Sequence, residues 1–145
     1  MSTTKTDVRD FWERNVCHVS FIENESLGSY EFFEEAKELR YRYHYHLLPL
    51  FDRLAQQYPN GRLLEIGCSM ATDLLEYANR GFSVAGIDLT EAGIDLAQKR
   101  FELYGQEADL RVADGEDIPF DDNTFDVVYS FGVLHHTPDT QQAIN

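Results

Sequence analysis

An α/β fold on an open parallel sheet is predicted for this chain, from a change of rhythm near residue 61 and from the residues that close its strand-like runs. Up to about residue 60 apolar residues recur at helical steps; beyond it, short apolar runs alternate with helical stretches. Strands separated by helices pair in parallel through right-handed crossovers. Gly67, Asp88, Asp114 and the run from Ser130 to His136 all fall where such strands end, and open parallel sheets bind ligands beyond those ends. Residues 1–60 are therefore read as an N-terminal helical extension and 61–145 as the sheet-forming domain.

The elements follow in order. Val8 to Val16 reads as a short helix and Asn24 to Ser29 as a loop. From Glu31 to Tyr58, Phe32, Ala36, Leu39, Tyr43, Leu47, Leu50 and Leu54 mark one apolar helix face. Tyr43 is placed in the core, and Pro49 is expected to kink the segment or split it in two. Arg62 to Ile66 is a strand ending at Gly67, and Thr72 to Arg80 is a helix that Gly81 stops. Phe82 to Asp88 is the second strand; Thr90 caps the next helix and Gly105 closes it. Ala108 to Ala113 and Phe125 to Ser130 are the third and fourth strands. Thr137 and Pro138 then suit the start of a last helix.

Composition narrows the function. A chain of 145 residues suits one domain, and its net charge of -14 repels phosphate backbones and anionic membranes, so neither nucleic acid nor a membrane is an expected partner. The run Arg40-Tyr41-Arg42-Tyr43-His44-Tyr45-His46 looks like an aromatic and basic patch, but on a helix its members spread over all faces. Residues 1–10 lack the pattern of a signal peptide, no stretch is long and apolar enough to span a bilayer, and the expected location is cytoplasmic. Cys17 and Cys68 form no CxxC pair, so neither a disulfide framework nor a zinc site is expected. His135 and His136 are adjacent and cannot both face one metal; no metal is expected.

The strand ends suggest a nucleoside-bearing ligand. A glycine at 67 lets the backbone approach a ligand closely. Asp88, about 20 residues further on, stands where an acid accepts from both ribose hydroxyls, and Asp114 could accept from the exocyclic amine of a base. Separately, each could be a tight turn or a helix cap; together they favour binding. The loop Gly67-Cys68-Ser69-Met70-Ala71-Thr72 lacks the second and third glycines of a dinucleotide fingerprint. Glu65, just before it, would repel a diphosphate and attract a sulfonium or an ammonium.

Five segments in order and at familiar spacing sharpen this: Leu63-Leu64-Glu65-Ile66-Gly67-Cys68, Gly86-Ile87-Asp88-Leu89-Thr90, Ala113 to Phe120, Phe125 to Ser130, and Val133-Leu134-His135-His136. The set resembles the class I S-adenosylmethionine-dependent methyltransferases, in particular the type 11, ubiquinone/menaquinone-biosynthesis-like group. That resemblance implies a Rossmann-like sheet ordered 3-2-1-4-5-7-6, of which this sequence carries 3-2-1-4. The C-terminal strands are missing, and the edge of the fourth strand is left open to a second copy or a partner chain. It implies S-adenosyl-L-methionine as cofactor, with Glu65 and Gly67 at its methionine end in the loop that holds Cys68 and Ser69. Asp88 would take the ribose, Leu89 would pack near the adenine, Asp114 would meet its amino group and the Gly115 backbone a ring nitrogen. Ser130 would bring the fourth strand towards cofactor and substrate. Ser69 and Ala71 stand where the family usually has glycine, and a positive φ at either would be strained.

Methyl transfer is an in-line displacement that depends on orientation and dryness rather than on a protein nucleophile. The expected function is a methyltransferase, or a fragment of one, acting on an unidentified small molecule. His135 and His136 are the only catalytic candidates, as a general base, with a structural or substrate-lining role the simpler reading. The alternative is a non-catalytic cofactor-binding or interaction module that completes its sheet with a partner chain; a nucleotide-dependent oxidoreductase fits Asp88 alone.

Overall fold

The computed structural model of the chain describes residues 4–16, 19–22 and 25–144. Cys17 and Asn24, for which expectations were set, lie outside the described residues. The sheet has four parallel strands in the order β3-β2-β1-β4, as the alternating pattern predicts. They are β1 (Arg62–Ile66), β2 (Ser83–Asp88), β3 (Ala108–Val112) and β4 (Val127–Tyr129). Each is as long as expected or one to three residues shorter. The helices are α1 (Lys5–Arg14), α2 (Tyr30–Tyr43), α3 (Leu47–Gln57), α4 (Thr72–Asn79), α5 (Glu91–Leu103) and α6 (Thr140–Ile144).

Local chemistry explains where the boundaries moved. The first helix begins at Lys5, not Val8, because Thr4 and Asp7 form a reciprocal capping box. The long helical segment does not break at Pro49. It breaks at His44–His46, and Pro49 is the third residue of α3, where a missing N–H costs no intrahelical bond. Tyr43 is 70% exposed rather than core, since α2 ends on it and buries Phe32, Phe33 and Ala36 instead. The last helix starts at Thr140, because Asp139 accepts the Gln142 N–H as its cap; Leu134–His136 before it is a turn of 3₁₀ helix.

Alternate residues of β1 and β2 serve opposite faces of the sheet. Leu63 and Val84 join the core under α3, α4 and α5, while Leu64, Ile66, Ala85 and Ile87 face the other way. That second face is covered by Ile118, Phe120, Phe125 and Leu134. Glu65 shares the helix-covered side with Leu63 and sits 6% exposed near the end of β1. Val128 is 58% exposed on β4, an edge strand. Among the described residues no helix is long and apolar enough to cross a membrane, and no group of three acids, histidines or cysteines could hold a metal ion.

Candidate cofactor site

The loop after β1 turns sharply over the end of β2. The Gly67 and Cys68 amides both donate to the Ile87 carbonyl, at 2.8 and 3.0 Å. Gly67 has φ +75°, and a Cβ there would lie 2.4 Å from Val133 Cγ2, so only glycine fits. Ser69 and Ala71 also take left-handed conformations, with φ +48° and +57°. Both stand where the resemblance expected glycine, so the loop carries the strain anticipated for them.

Asp88 holds this loop against the next helix. Its Oδ2 accepts the Ser69 amide at 2.8 Å, and its Oδ1 accepts the Thr90 amide at 3.0 Å and the Thr90 hydroxyl at 2.6 Å. Thr90 in turn caps α5 through the Gly93 amide. At the end of β3, Asp114 accepts the Glu116 amide through Oδ1 and the Lys5 ammonium, at 2.6 Å, through Oδ2. Burial opposes ionisation of Asp114, but Lys5 and the Glu116 amide hold its carboxyl below the usual range.

These ends enclose a cavity of about 1130 Å³, its open mouth included. Glu65, Gly67, Cys68, Ser69, Asp88, Leu89, Asp114 and Gly115 all line it. Ser130 does not; its hydroxyl donates to the Ile66 carbonyl at 3.0 Å and holds β4 against β1. His136 reaches the cavity, while His135 faces a neighbouring hollow beside Asp7 and Phe11. Burial, then the neighbouring His135, hold His136 below the ordinary histidine value. Cys68 is buried, and burial pushes its thiol well up, so it packs rather than reacts.

The part of the cavity wall beside Glu65 contains a network not foreseen from the sequence. Asp73, on α4, accepts both the Nε and Nη2 of Arg40, together with the hydroxyls of Tyr41 and Tyr129 at 2.9 Å each. Arg40 lies 4.6 Å over the Phe131 ring and also lines the cavity. Beside it, Glu65 Oε2 is buried with no hydrogen-bond partner among the described residues. Burial, with the charge of Asp73 adding to it, raises the Glu65 carboxyl well above its ordinary value; Arg40 and the Leu74 amide offset only part of this. An acid held this way, in a cavity wall, suits a ligand that brings a cation.

Residues 64–145 match the family profile described as a methyltransferase domain. The chain belongs to the methyltransferase-domain family. The family cofactor is S-adenosyl-L-methionine, and the unpartnered Glu65 oxygen fits its sulfonium and ammonium charges. The domain is similar to 27-O-demethylrifamycin SV methyltransferase of Amycolatopsis mediterranei, with 36% identity over 66% of this chain and 37% of that protein. It is also similar to the phthiotriol/phenolphthiotriol dimycocerosates methyltransferase of Mycobacterium leprae, 39% identical over 53% of this chain and 28% of that protein. The chain thus spans roughly a third of the length of these relatives. Among solved structures, the YcgJ protein of Bacillus subtilis superposes with a TM-score of 0.64 at 25% identity, covering 70% of this chain and 44% of its own. The [4+2]-cyclase SpnF does so at 0.60 and 23%, over 67% and 38%, a likeness of fold alone.

Proposed function

We propose that this chain supplies the cofactor-binding part of an S-adenosylmethionine-dependent methyltransferase whose acceptor is a small molecule. One observation carries the reading: a single cavity brings together the unpartnered acid of Glu65 and the acidic strand ends Asp88 and Asp114. When bound, the cofactor supplies a methyl group already activated on a sulfonium. The chain's own residues have the task of holding it, excluding water and orienting the acceptor.

In this reading Glu65 pairs with the cationic methionine end, and Arg40 is placed to attract its carboxylate. Asp88 has one acceptor site left, on Oδ2, for a ribose hydroxyl, and Asp114 meets the adenine amino group beside the Gly115 backbone. Residues 1–60 form an extension that completes the wall, through Val8, Trp12, Val16 and Arg40. His136, in the wall, is the histidine placed to take a proton from an acceptor hydroxyl. The relatives named for a rifamycin and for phthiotriols support a small-molecule acceptor, and the charge of -14 speaks against a nucleic acid.

Calorimetry with S-adenosylhomocysteine tests the cofactor assignment. Saturable binding, weakened in Glu65→Ala and Asp88→Ala variants that keep their circular dichroism, is expected. No binding by the wild-type chain, or equal binding of NADH, would refute it.

A further inference from the structure

Helix α1 buries no residue of its own, yet one end is fastened to the wall of the cofactor cavity and the other to the helix that begins beside it. At one end Lys5 Nζ lies 2.6 Å from Asp114 Oδ2 and 2.6 Å from Glu116 Oε2. At the other, the Glu13 carboxylate accepts the Glu91 and Ala92 amides at 3.0 Å each, across the first turn of α5. Between them the Trp12 ring meets His136 edge-on, with centroids 5.5 Å apart. Val8 and Trp12 close that side of the cavity.

We propose that α1 is a strap over the cofactor site, with Lys5 occupying the acceptor that the adenine amino group uses, and that it lifts for the cofactor to enter and leave. The inference rests on the cofactor reading above, since it takes Asp114 as the adenine acceptor.

The fastenings suit a part that opens. Lys5 is exposed, where ion pairs are weak and screened by salt, and Glu13 holds α5 through two backbone amides. An element that contributes nothing to the core is drawn from the low-stability end of a fold, where local opening is easy. Lys5 also has a second partner. Glu116 is buried, and its Oε1 accepts the Asp139 amide at 2.9 Å, so its position is fixed. When the adenine takes Asp114, Lys5 keeps Glu116, and the strap closes again over a filled site without an unpaired ammonium.

Trp12 is the chain's one tryptophan and lies on the strap, so its fluorescence reports strap docking directly. Acrylamide quenching of the unliganded protein is expected to rise at least about twofold in Lys5→Met, which loses both ion pairs, and in Glu13→Gln, which weakens both amide bonds. Stopped-flow mixing with S-adenosylhomocysteine should show faster association in both variants, with faster dissociation in Glu13→Gln, which leaves the adenine acceptor untouched. If both variants bind S-adenosylhomocysteine with wild-type quenching and wild-type rates, the strap is refuted and the cofactor reading stands. If quenching rises but no form binds S-adenosylhomocysteine, the cofactor reading fails and the competition at Asp114 fails with it.

Discussion

The Asp88 carboxylate accepts the backbone N–H of Ser69 at 2.8 Å, so the strand end proposed for the ribose also holds the loop beside it. The two jobs share one side chain: Thr90 fills both acceptor sites of Oδ1, while Oδ2 accepts Ser69 and has one site to spare among the described residues. Loop shape and ligand affinity should therefore change together at this residue.

Asp88→Asn separates charge from shape. The amide has one oxygen, so its NH₂ must face the N–H of either Ser69 or Thr90. Leaving such a donor unsatisfied costs about 1–3 kcal/mol. Urea unfolding should show a loss in that range, and calorimetry a larger loss of S-adenosylhomocysteine affinity than in Asp88→Glu. Unchanged stability would mean that the carboxylate does not brace the loop.

Ser69→Gly should stabilise the fold more than Ala71→Gly. Relief of a left-handed non-glycine residue is worth about 1–2 kcal/mol, against about 0.4–1 kcal/mol of added freedom in the unfolded chain. Ser69 is half-buried, so its replacement should stabilise by up to about 1 kcal/mol. Ala71 is fully buried and also loses a methyl worth about 0.8 kcal/mol, which brings its change close to zero. Thermal unfolding of the two variants side by side distinguishes these outcomes.

Asp73→Asn should be the most damaging of these substitutions. It leaves the Arg40 guanidinium in a partly buried site without its counter-charge, a change that typically costs about 3–5 kcal/mol. Tyr129→Phe removes one hydrogen bond to the same carboxylate and should cost about 1.5–3 kcal/mol. Denaturant midpoints for both, and for the double variant, would show whether the losses are coupled through Asp73.

Glu65 gives stability a pH dependence of known sign. Because burial raises its carboxyl in the folded state, folded protein keeps this proton at pH values where unfolded chain has lost it. Its contribution is therefore complete below the ordinary value of 4.5 and drains away as pH rises through the raised value, by at most about 1.4 kcal/mol per pH unit. Glu76 and Asp114 act in the opposite sense at the acid end, since the Lys and Arg charges beside them lower their carboxyls against the effect of burial. Glu65→Gln should remove the loss on the alkaline side only. Binding a ligand with an ammonium should also expel the Glu65 proton, so the calorimetric heat should vary with buffer ionisation enthalpy in wild type and not in Glu65→Gln.

The sheet was legible because each of its signals is local. Gly67, Asp88 and Asp114 close strands within one apolar run, and periodicity alone separates those runs from helices. The site was legible to the extent that it hangs on those strand ends. Arg40, Asp73 and Tyr129 were missed because they meet across 33 and 56 residues, and nothing near Asp73 in the chain marks it as an acceptor of four donors. An aspartate followed by Leu74 and Leu75 in a short helix is a weak hint of a buried acid at best. Tyr43 and Pro49 were misread for a different reason: a repeating apolar face does not say where a helix ends. The docking of α1 was hidden too, since Lys5 and Glu13 look like ordinary surface charges until Asp114 and α5 are placed against them.

The network at Asp73 also bears on how this domain could be recombined with others. Two of its donor residues, Arg40 and Tyr41, lie on α2, before the first strand, while Asp73 lies on α4 and Tyr129 on β4. A graft joined at residue 60 would inherit half of a charge-balanced interior, whichever half it kept. Arg40, Tyr41, Asp73 and Tyr129 therefore form one heritable unit, and chimeras with related methyltransferases should exchange all four together or none.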